Sequence, residues 1–463
     1  MNLRDYQSDG IDKMRHYLRK HRAVMYQLST GGGKTVMFAF IAKNAAAKGK
    51  RVLILVHRRE LIKQTCRTLT ECGVEHGVIA NGWAPNRSAL VQVASVQSLA
   101  TRDVPTPDII VADEAHHGTA RTWMDVMQRF PHARVLGFSA TPCRLSGAGL
   151  GTFFEHLICG PQIGWLIKQG YLTQPKVYSI PIADFSGARV QAGDYVRKDL
   201  DALTNNRDVI GKAVDHYSKF APGEPAIVFC NSVDHAERVA EMYRAEGYRA
   251  ASVDGKMDTD IRDRRIEALD TGDLDVLTSC DLIGEGLDIR RVRVVQELRK
   301  TKSLMLYLQW IGRGLRTYEG KPDTIVLDHV GNYAVHGLPD MDRVWSLDKG
   351  VKEDNIVELQ HCPQCSAIVF KPIVCPHCGY EFALPDPIEA EIAAEVDGLL
   401  ERIHPEDVNT LWEKAKASGT LESYHAWGQA KAKLKGEKYK AGTGYFAFKN
   451  NLKNRSRKVP NAC

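Results

Sequence analysis

A chain of 463 residues with 44% hydrophobic and 25% charged residues is too long for one ordinary domain, and its composition is that of a globular protein with substantial cores. No apolar run is long enough to cross a bilayer and the opening MNLRDYQSDG lacks the apolar centre of a secretory leader, so a cytoplasmic protein with no membrane partner is expected. The net charge of +6 is modest, and of the eleven cysteines four cluster as two CxxC pairs, which reads as a metal site rather than a disulfide framework.

In chain order, a first series of short apolar runs comprises AVMYQL (23–28), RVLILVH (51–57), VQVASV (91–96), DIIVAD (108–113) and RVLGFS (134–139). They alternate with helical stretches, as parallel strands buried on both faces require. The first run leads through Ser29, Thr30, Gly31, Gly32 and Gly33 to Lys34, Thr35 and another hydrophobic stretch, the strand, turn and helix of a phosphate-binding loop. Glycines let backbone amides wrap phosphate, Lys34 supplies a point charge for the β- and γ-phosphates, and the Thr35 hydroxyl can ligate Mg²⁺. Leu28 stands where the GxxxxGK[ST] pattern has its first glycine, and a Gly-rich turn can also be a plain tight connection.

The fourth run ends in Asp113 and Glu114, where a nucleotide site places one carboxylate on Mg²⁺ and the next on the attacking water. Acidic residues also end strands without function, but roughly eighty residues of alternating helix and strand between loop and acidic pair is what one nucleotide-binding domain requires. A second series, AIVFC (226–230), DVLTS (275–279), VRVVQ (292–296) and TIVLDH (324–329), opens after the turn-rich APGEP (221–225). Two α/β domains in tandem are therefore expected, spanning 1–190 and 205–350 with a hinge near 180–205. A cysteine module at 358–382 and a C-terminal region at 383–463 follow.

On these residues and the motifs around them, the sequence resembles superfamily 2 helicases and translocases of the DEAH-box kind over residues 3 to about 330. Asp113-Glu114-Ala115-His116 match motif II letter for letter, and Ser139-Ala140-Thr141 match motif III. LRDYQ (3–7) looks like the adenine-reading element, with Gln7 on the adenine edge and Arg4 or Tyr6 stacked on it. LVHRREL (55–61), with Arg58, lies where motif Ia does, and VASVQSL (93–99), with Gln97, where a second backbone-contacting segment does. FCNSVDHAERVAE (229–241), with Asn231, resembles motif IV; SCDLIGEGLDI (279–289), with Gly286 and Asp288, resembles motif V; QWIGRGLR (309–316) matches the QxxGRxxR of motif VI.

The resemblance implies two RecA-like domains, ATP and Mg²⁺ as cofactors, and a nucleic-acid partner. It places Thr30, Gly31, Gly32, Gly33, Lys34, Thr35, Asp113, His116, Gly286 and Asp288 around the nucleotide. Glu114 becomes the water-activating base, Arg313 and Arg316 reach the γ-phosphate from the second domain, and Gln309 joins them as a catalytic residue. Arg58, Gln97, Ser139, Thr141 and Asn231 fall to the nucleic-acid side. The GEGLD form of motif V and the LRDYQ start are similar to the XPB, UvsW and type III restriction-motor branch, which implies DNA rather than RNA. Without a long insert to act as a strand-splitting wedge, translocation is expected over vigorous unwinding. Two other functions are open: the motor half of an assembly whose nuclease, repair or replication activity is a partner protein, and an ATP-switched clamp or annealing protein.

In CPQCSAIVFKPIVCPHC, Cys362, Cys365, Cys375 and Cys378 form two knuckles joined by a short β-rich link. That is the layout of a zinc ribbon, in which four thiolates close a tetrahedral Zn²⁺ shell and the metal folds the module. His361 and His377 read as surface residues beside it. Beyond the ribbon, ten acidic residues and one basic residue over 381–413 give way to twelve basic and two acidic over 414–463. Tyr424, Trp427, Tyr439, Tyr445, Phe446 and Phe448 interleave with those lysines, either as a stacking platform for unpaired bases or as the core of a small helical domain.

Overall fold

The computed structural model describes residues 3–99, 102–117, 120–142, 149–179, 183–185, 187–191, 193–280, 289–348, 359–370, 374–382, 412–413, 415–417 and 424–429. Two all-parallel sheets organise it. The first comprises β1 (Ala23–Gln27), β2 (Val52–Val56), β3 (His76–Ile79), β4 (Val91–Ser95), β5 (Ile109–Ala112), β6 (Arg134–Ser139) and β7 (His156–Cys159), in the order β3-β4-β2-β5-β6-β1-β7. Every residue of β1 and β2 is buried, because helices cover both faces. The order has a functional consequence. It sets β5, β6 and β1 side by side, so the segments leaving their C-terminal ends meet although they are far apart in sequence.

The second sheet contains β8 (Pro175–Ser179), β11 (Ala226–Phe229), β12 (Ala250–Val253), β13 (Val276–Ser279), β14 (Val294–Glu297) and β15 (Thr324–Asp328), in the order β12-β13-β11-β14-β15-β8. The hairpin β9 (Val190–Gln191) and β10 (Asp194–Tyr195) stands apart from both sheets. Strand β8 precedes the hinge expected at 180–205 and lies inside the expected 1–190 domain, yet it pairs in register with β15. The chain therefore passes between the sheets before residue 175.

It also returns. After β15, Leu347 accepts backbone hydrogen bonds from Leu150 (2.7 Å) and Gly151 (2.9 Å), and Arg343 and Gln162 exchange two more, at 2.6 and 3.0 Å. The two domains are thus joined by a crossing segment and by a strap from 338 to 348. One apolar cluster runs through both, taking in Leu28, Leu172, Leu308, Ile311 and Leu338.

The cysteine module forms the two-stranded β16 (Leu359–His361) and β17 (Ile368–Phe370). It packs on β8, an edge of the second sheet: Ala367 bridges Tyr178, the Ser179 amide donates to the Ser366 carbonyl (3.1 Å), and the His361 Nε2 lies 3.1 Å from the Ser179 carbonyl. An exposed edge strand is a template for unwanted pairing, and the module covers it. His361 and His377 are thus docking residues: the His377 ring stands 6.0 Å from that of Tyr178. Residues after Tyr380 cluster as a separate unit. Within it Trp412 packs edge-on against Tyr424 (5.6 Å) and beside Trp427 (4.4 Å), with Tyr424 fully buried. For these aromatics the arrangement is that of a small core, while Tyr439, Tyr445, Phe446 and Phe448 lie outside the described residues. Among the described residues no helix is long and apolar enough to cross a membrane.

Candidate nucleotide site and nucleic-acid face

The glycine loop turns directly from β1 into the helix Lys34–Ala46, whose first amides face the turn. Gly31 and Gly33 adopt φ of 83° and 84°, a left-handed backbone that a side chain would strain. At Gly33 there is a second reason: a Cβ would come within 2.5 Å of Gln7 Nε2. The N-terminal helix Asp5–Tyr17 is anchored to this loop, since the Tyr6 hydroxyl (2.7 Å) and Gln7 Nε2 (3.2 Å) both donate to the Gly32 carbonyl. The Gln7 side-chain Oε1 accepts from the Arg4 amide at 3.0 Å. Arg4 lies over the Tyr171 ring at 4.2 Å.

Lys34, 9% exposed, places Nζ 3.3 Å from both the Leu28 carbonyl and Glu114 Oε1. Asp113 is buried, and its carboxylate accepts from the Glu114 amide at 3.1 Å. Glu114 adopts φ of 47°. A glutamate held in the left-handed region costs about 1–3 kcal/mol and persists where its surroundings over-determine it, as functional sites do. His116 Nδ1 lies 2.7 Å from Ser139 Oγ and 3.4 Å from Glu114 Oε2. The Ser139 hydroxyl also lies 2.7 Å from the Thr141 carbonyl and accepts from the Thr141 amide at 3.0 Å. A continuous polar chain thus links Lys34, Glu114, His116 and the end of β6.

The second sheet contributes the helix Leu304–Gly314. It meets the loop closely enough that a Cβ on Gly312 would lie 2.6 Å from Thr30 Cβ, and a Cβ on Gly31 would lie 3.8 Å from Arg316 Cγ. Leu172 bridges Arg316, and the Thr173 amide donates to the Leu315 carbonyl at 2.8 Å. Arg313 and Gln309 are buried on this helix, and Thr35 is half-buried at the loop. The structure therefore brings together Gln7, Thr30, Gly31, Gly32, Gly33, Lys34, Asp113, Glu114, His116 and the Arg313–Arg316 turn. Gly286 and Asp288 lie outside the described residues. Tyr171 and Leu172 escaped the sequence reading, and Gly312 stands in the QxxGRxxR match without a role of its own. Only Gly312 carried a signal, as the small residue inside QWIGRGLR.

The expected nucleic-acid residues divide. Arg58 and the exposed Gln97 lie together at the ends of β2 and β4, with Gln97 Nε2 3.5 Å from the His57 carbonyl. Ser139, Thr141 and Asn231 are all three buried. Ser139 and Thr141 complete the polar chain just described, and Asn231 Nδ2 donates to Thr204 Oγ1 (2.8 Å) and the Leu298 carbonyl (3.1 Å).

Across that face the domains are tied by ion pairs between the helices Arg59–Glu71 and Thr259–Thr271: Glu60 to Arg262 at 2.5 Å, largely buried, and Lys63 to Asp263 at 2.6 Å, exposed.

The four cysteine sulfurs all lie within 4.8 Å of one another, with Cys362 to Cys378 at 3.6 Å and Cys365 to Cys375 at 3.7 Å. A tetrahedral zinc with bonds of about 2.3 Å sets its sulfurs about 3.8 Å apart, so the donor set fits that ion. The two knuckles repeat one backbone pattern: Ser366 and Gly379, each just after the second cysteine, adopt φ of 62° and 77°, and their amides donate back to the carbonyls of Cys362 and Cys375 at 2.9 Å.

Residues 1–144 match the family described as "Type III restriction enzyme, res subunit", and residues 208–318 match "Helicase conserved C-terminal domain". A protein of a Lactococcus phage (isolate 7-9), named only as a 51.5 kDa protein, is 33% identical over 424 residues, covering 89% of each chain. The Saccharomyces cerevisiae protein IRC3, provisionally named an ATP-dependent helicase, is 29% identical over 72% of this chain and 52% of its own length. In structure, the ATP-dependent Type ISP restriction-modification enzyme LlaBIII, solved bound to DNA, superposes with a TM-score of 0.54 at 18% identity over 71% of this chain and 28% of that one. The chain thus spans about half of IRC3 and under a third of the restriction enzyme.

Proposed function

The chain belongs to the superfamily 2 helicases and translocases of the restriction-motor type, and from that premise we propose that it is an ATP- and Mg²⁺-dependent motor that translocates on DNA. The carrying observation is the packing of the Leu304–Gly314 helix against the glycine loop, with Thr30 against Gly312 and Gly31 beside Arg316. A triphosphate on that loop has the chemistry of both walls around it. Lys34 and the loop amides bind the phosphates, Asp113 and Thr35 hold Mg²⁺, and Glu114 orients and deprotonates the water. Arg313 and Arg316, with Gln309 behind them, stabilise charge on the transferred phosphoryl group. Bound there, Mg²⁺ would neutralise charge on the phosphates.

Because hydrolysis needs both walls, the cycle opens and closes the cleft, and a strand held across Arg58 and Gln97 advances with each closure. DNA is the proposed track, supported by the restriction-motor family match and by the DNA in the LlaBIII structure. The same match supports work alongside a partner protein that carries a nuclease. The ribbon would hold Zn²⁺ through Cys362, Cys365, Cys375 and Cys378 as a structural ion. The test is ATP turnover by Glu114→Gln and Lys34→Ala against a panel of single-stranded, duplex and forked DNA with matching RNA. Turnover that rises with DNA and is lost in both variants is expected. Wild-type turnover in either variant would refute the site, and stimulation by RNA alone would refute the track.

A further inference from the structure

The segment that carries Arg316 leaves the helix Leu304–Gly314 at its C-terminal end, where the last carbonyls of a helix have no partner within it. Here one side chain supplies them. Lys321 Nζ donates to the Gly314 carbonyl, to the Arg316 carbonyl at 2.7 Å and, across the sheet, to the Val292 carbonyl at 2.6 Å. An ammonium has three N–H donors, and these three acceptors use all of them. Thr324 Oγ1 adds a second donor to Gly314 (2.6 Å), and Thr173 Oγ1 one to Leu315 (3.1 Å). Val292 precedes β14 and follows the stretch that resembles motif V, so Lys321 binds the exit of that stretch to the arginine turn.

The geometry points to Lys321 as a positioning residue for hydrolysis: by clamping three carbonyls it fixes the turn that sets Arg316 against Gly31, and it thereby governs turnover rather than ATP binding. This rests on the proposed role of Arg316 at the γ-phosphate. The groups facing the ammonium are Arg316 on its own turn, Arg293 before β14 and Asp323 before β15. The last two pair with each other at 2.7 Å, and they are further paired with Glu224 and Lys176. Burial, and then Arg316 and Arg293, push the Lys321 ammonium down to about 7, with Asp323 opposing. A neutral amine has two N–H donors for three carbonyls, so the clamp loosens as pH rises through that value.

The experiment compares Lys321→Met, Lys321→Arg and Arg316→Ala in DNA-stimulated ATP turnover of the full chain, with ATP titrations and a pH series from 6 to 9. For Lys321→Met, which removes all three hydrogen bonds of the clamp, kcat is expected to fall at least about tenfold as the arginine turn loses its placement, with KM for ATP unchanged within about twofold. Lys321→Arg, charged throughout, is expected to recover most of kcat and to lose the decline that wild type shows above pH 7. A Lys321→Met enzyme with wild-type kcat, or one whose KM rises as much as its kcat falls, overturns the inference. Should that variant not fold, a wild-type kcat that stays flat across pH 7, or a decline that persists in Lys321→Arg, overturns it instead. Arg316→Ala separates the two claims: full turnover there removes the reading on which the inference stands, whereas a dead Arg316→Ala beside an active Lys321→Met removes the inference alone.

Discussion

Gly312→Ala should separate activity from stability. Ordinary carbon contacts stand about 3.5–4.0 Å apart, and the added methyl would lie 2.6 Å from Thr30 Cβ and 2.7 Å from Thr30 Cγ2. Both contacts fall short by about 1 Å, and neither partner yields: Thr30 sits in the glycine loop, and Gly312 is in a helix buried along most of its length. Inside a single core such overpacking costs about 1–3 kcal/mol. Here the contact lies between two domains, and the clash is relieved if the cleft stands open by that amount. Alanine within a helix is meanwhile favoured over glycine by about 1 kcal/mol, so the melting temperature should hold or rise slightly. A misplacement of about 1 Å at a reacting centre costs up to about 10²-fold in rate, and DNA-stimulated kcat is expected to fall 10- to 100-fold by that principle. Steady-state ATPase and a thermal melt on the same preparation decide it. Turnover within about twofold of wild type would mean that the domains do not hydrolyse ATP in this packing; a fall in melting temperature matching the loss of activity would place the clash inside one core.

Other changes read other parts of the machine. Glu60 and Arg262 join the domains through a largely buried pair, so Glu60→Gln and Arg262→Gln should each reduce stimulated turnover, with a double-mutant coupling above about 0.5 kcal/mol; additive effects would mean that the pair carries no closure energy. Removing zinc with a chelator should lower the melting temperature of the second domain as well as unfold the ribbon, because the module covers the β8 edge through Ala367, Ser366 and His361; a melt indifferent to chelation would detach the ribbon from the sheet. Burial, and then the neighbouring Asp328, raise the Glu297 carboxyl well above its ordinary value. The folded state therefore keeps a proton that the unfolded chain releases, and the group's contribution to stability falls as pH rises above the ordinary glutamate range. Glu297→Gln should flatten that decline between pH 5 and 8 and raise the melting temperature at pH 8, and an unchanged pH slope would refute it.

What the chain discloses before folding follows how each strand is buried. The nine interior strands of the two sheets, from AVMYQL to TIVLDH, read as continuous apolar runs because both faces are covered. The four strands that left no such run, β3, β12, β7 and β8, are the four edges. HLIC in β7 is mostly half-buried or exposed, and PKVYS in β8 alternates buried with half-buried positions. Missing β8 displaced the expected hinge, and it also hid the surface on which the ribbon docks. The site divides on a similar line. Lys34, Asp113 and Glu114 were legible because a strand, its following turn and a charged residue are local, and strand order does the rest. Ser139, Thr141 and Asn231 look the same in sequence, polar residues at strand ends, but whether such a group serves a ligand or caps its own strand depends on neighbours as remote as His116 and Leu298. Lys321 is the extreme case. In YEGKP it reads as a solvated turn lysine, and only the return of the chain beside Val292 and Gly314 turns it into a clamp. Such positions are the ones local pattern conceals, since their chemistry is defined by a contact with residues that only the fold brings near.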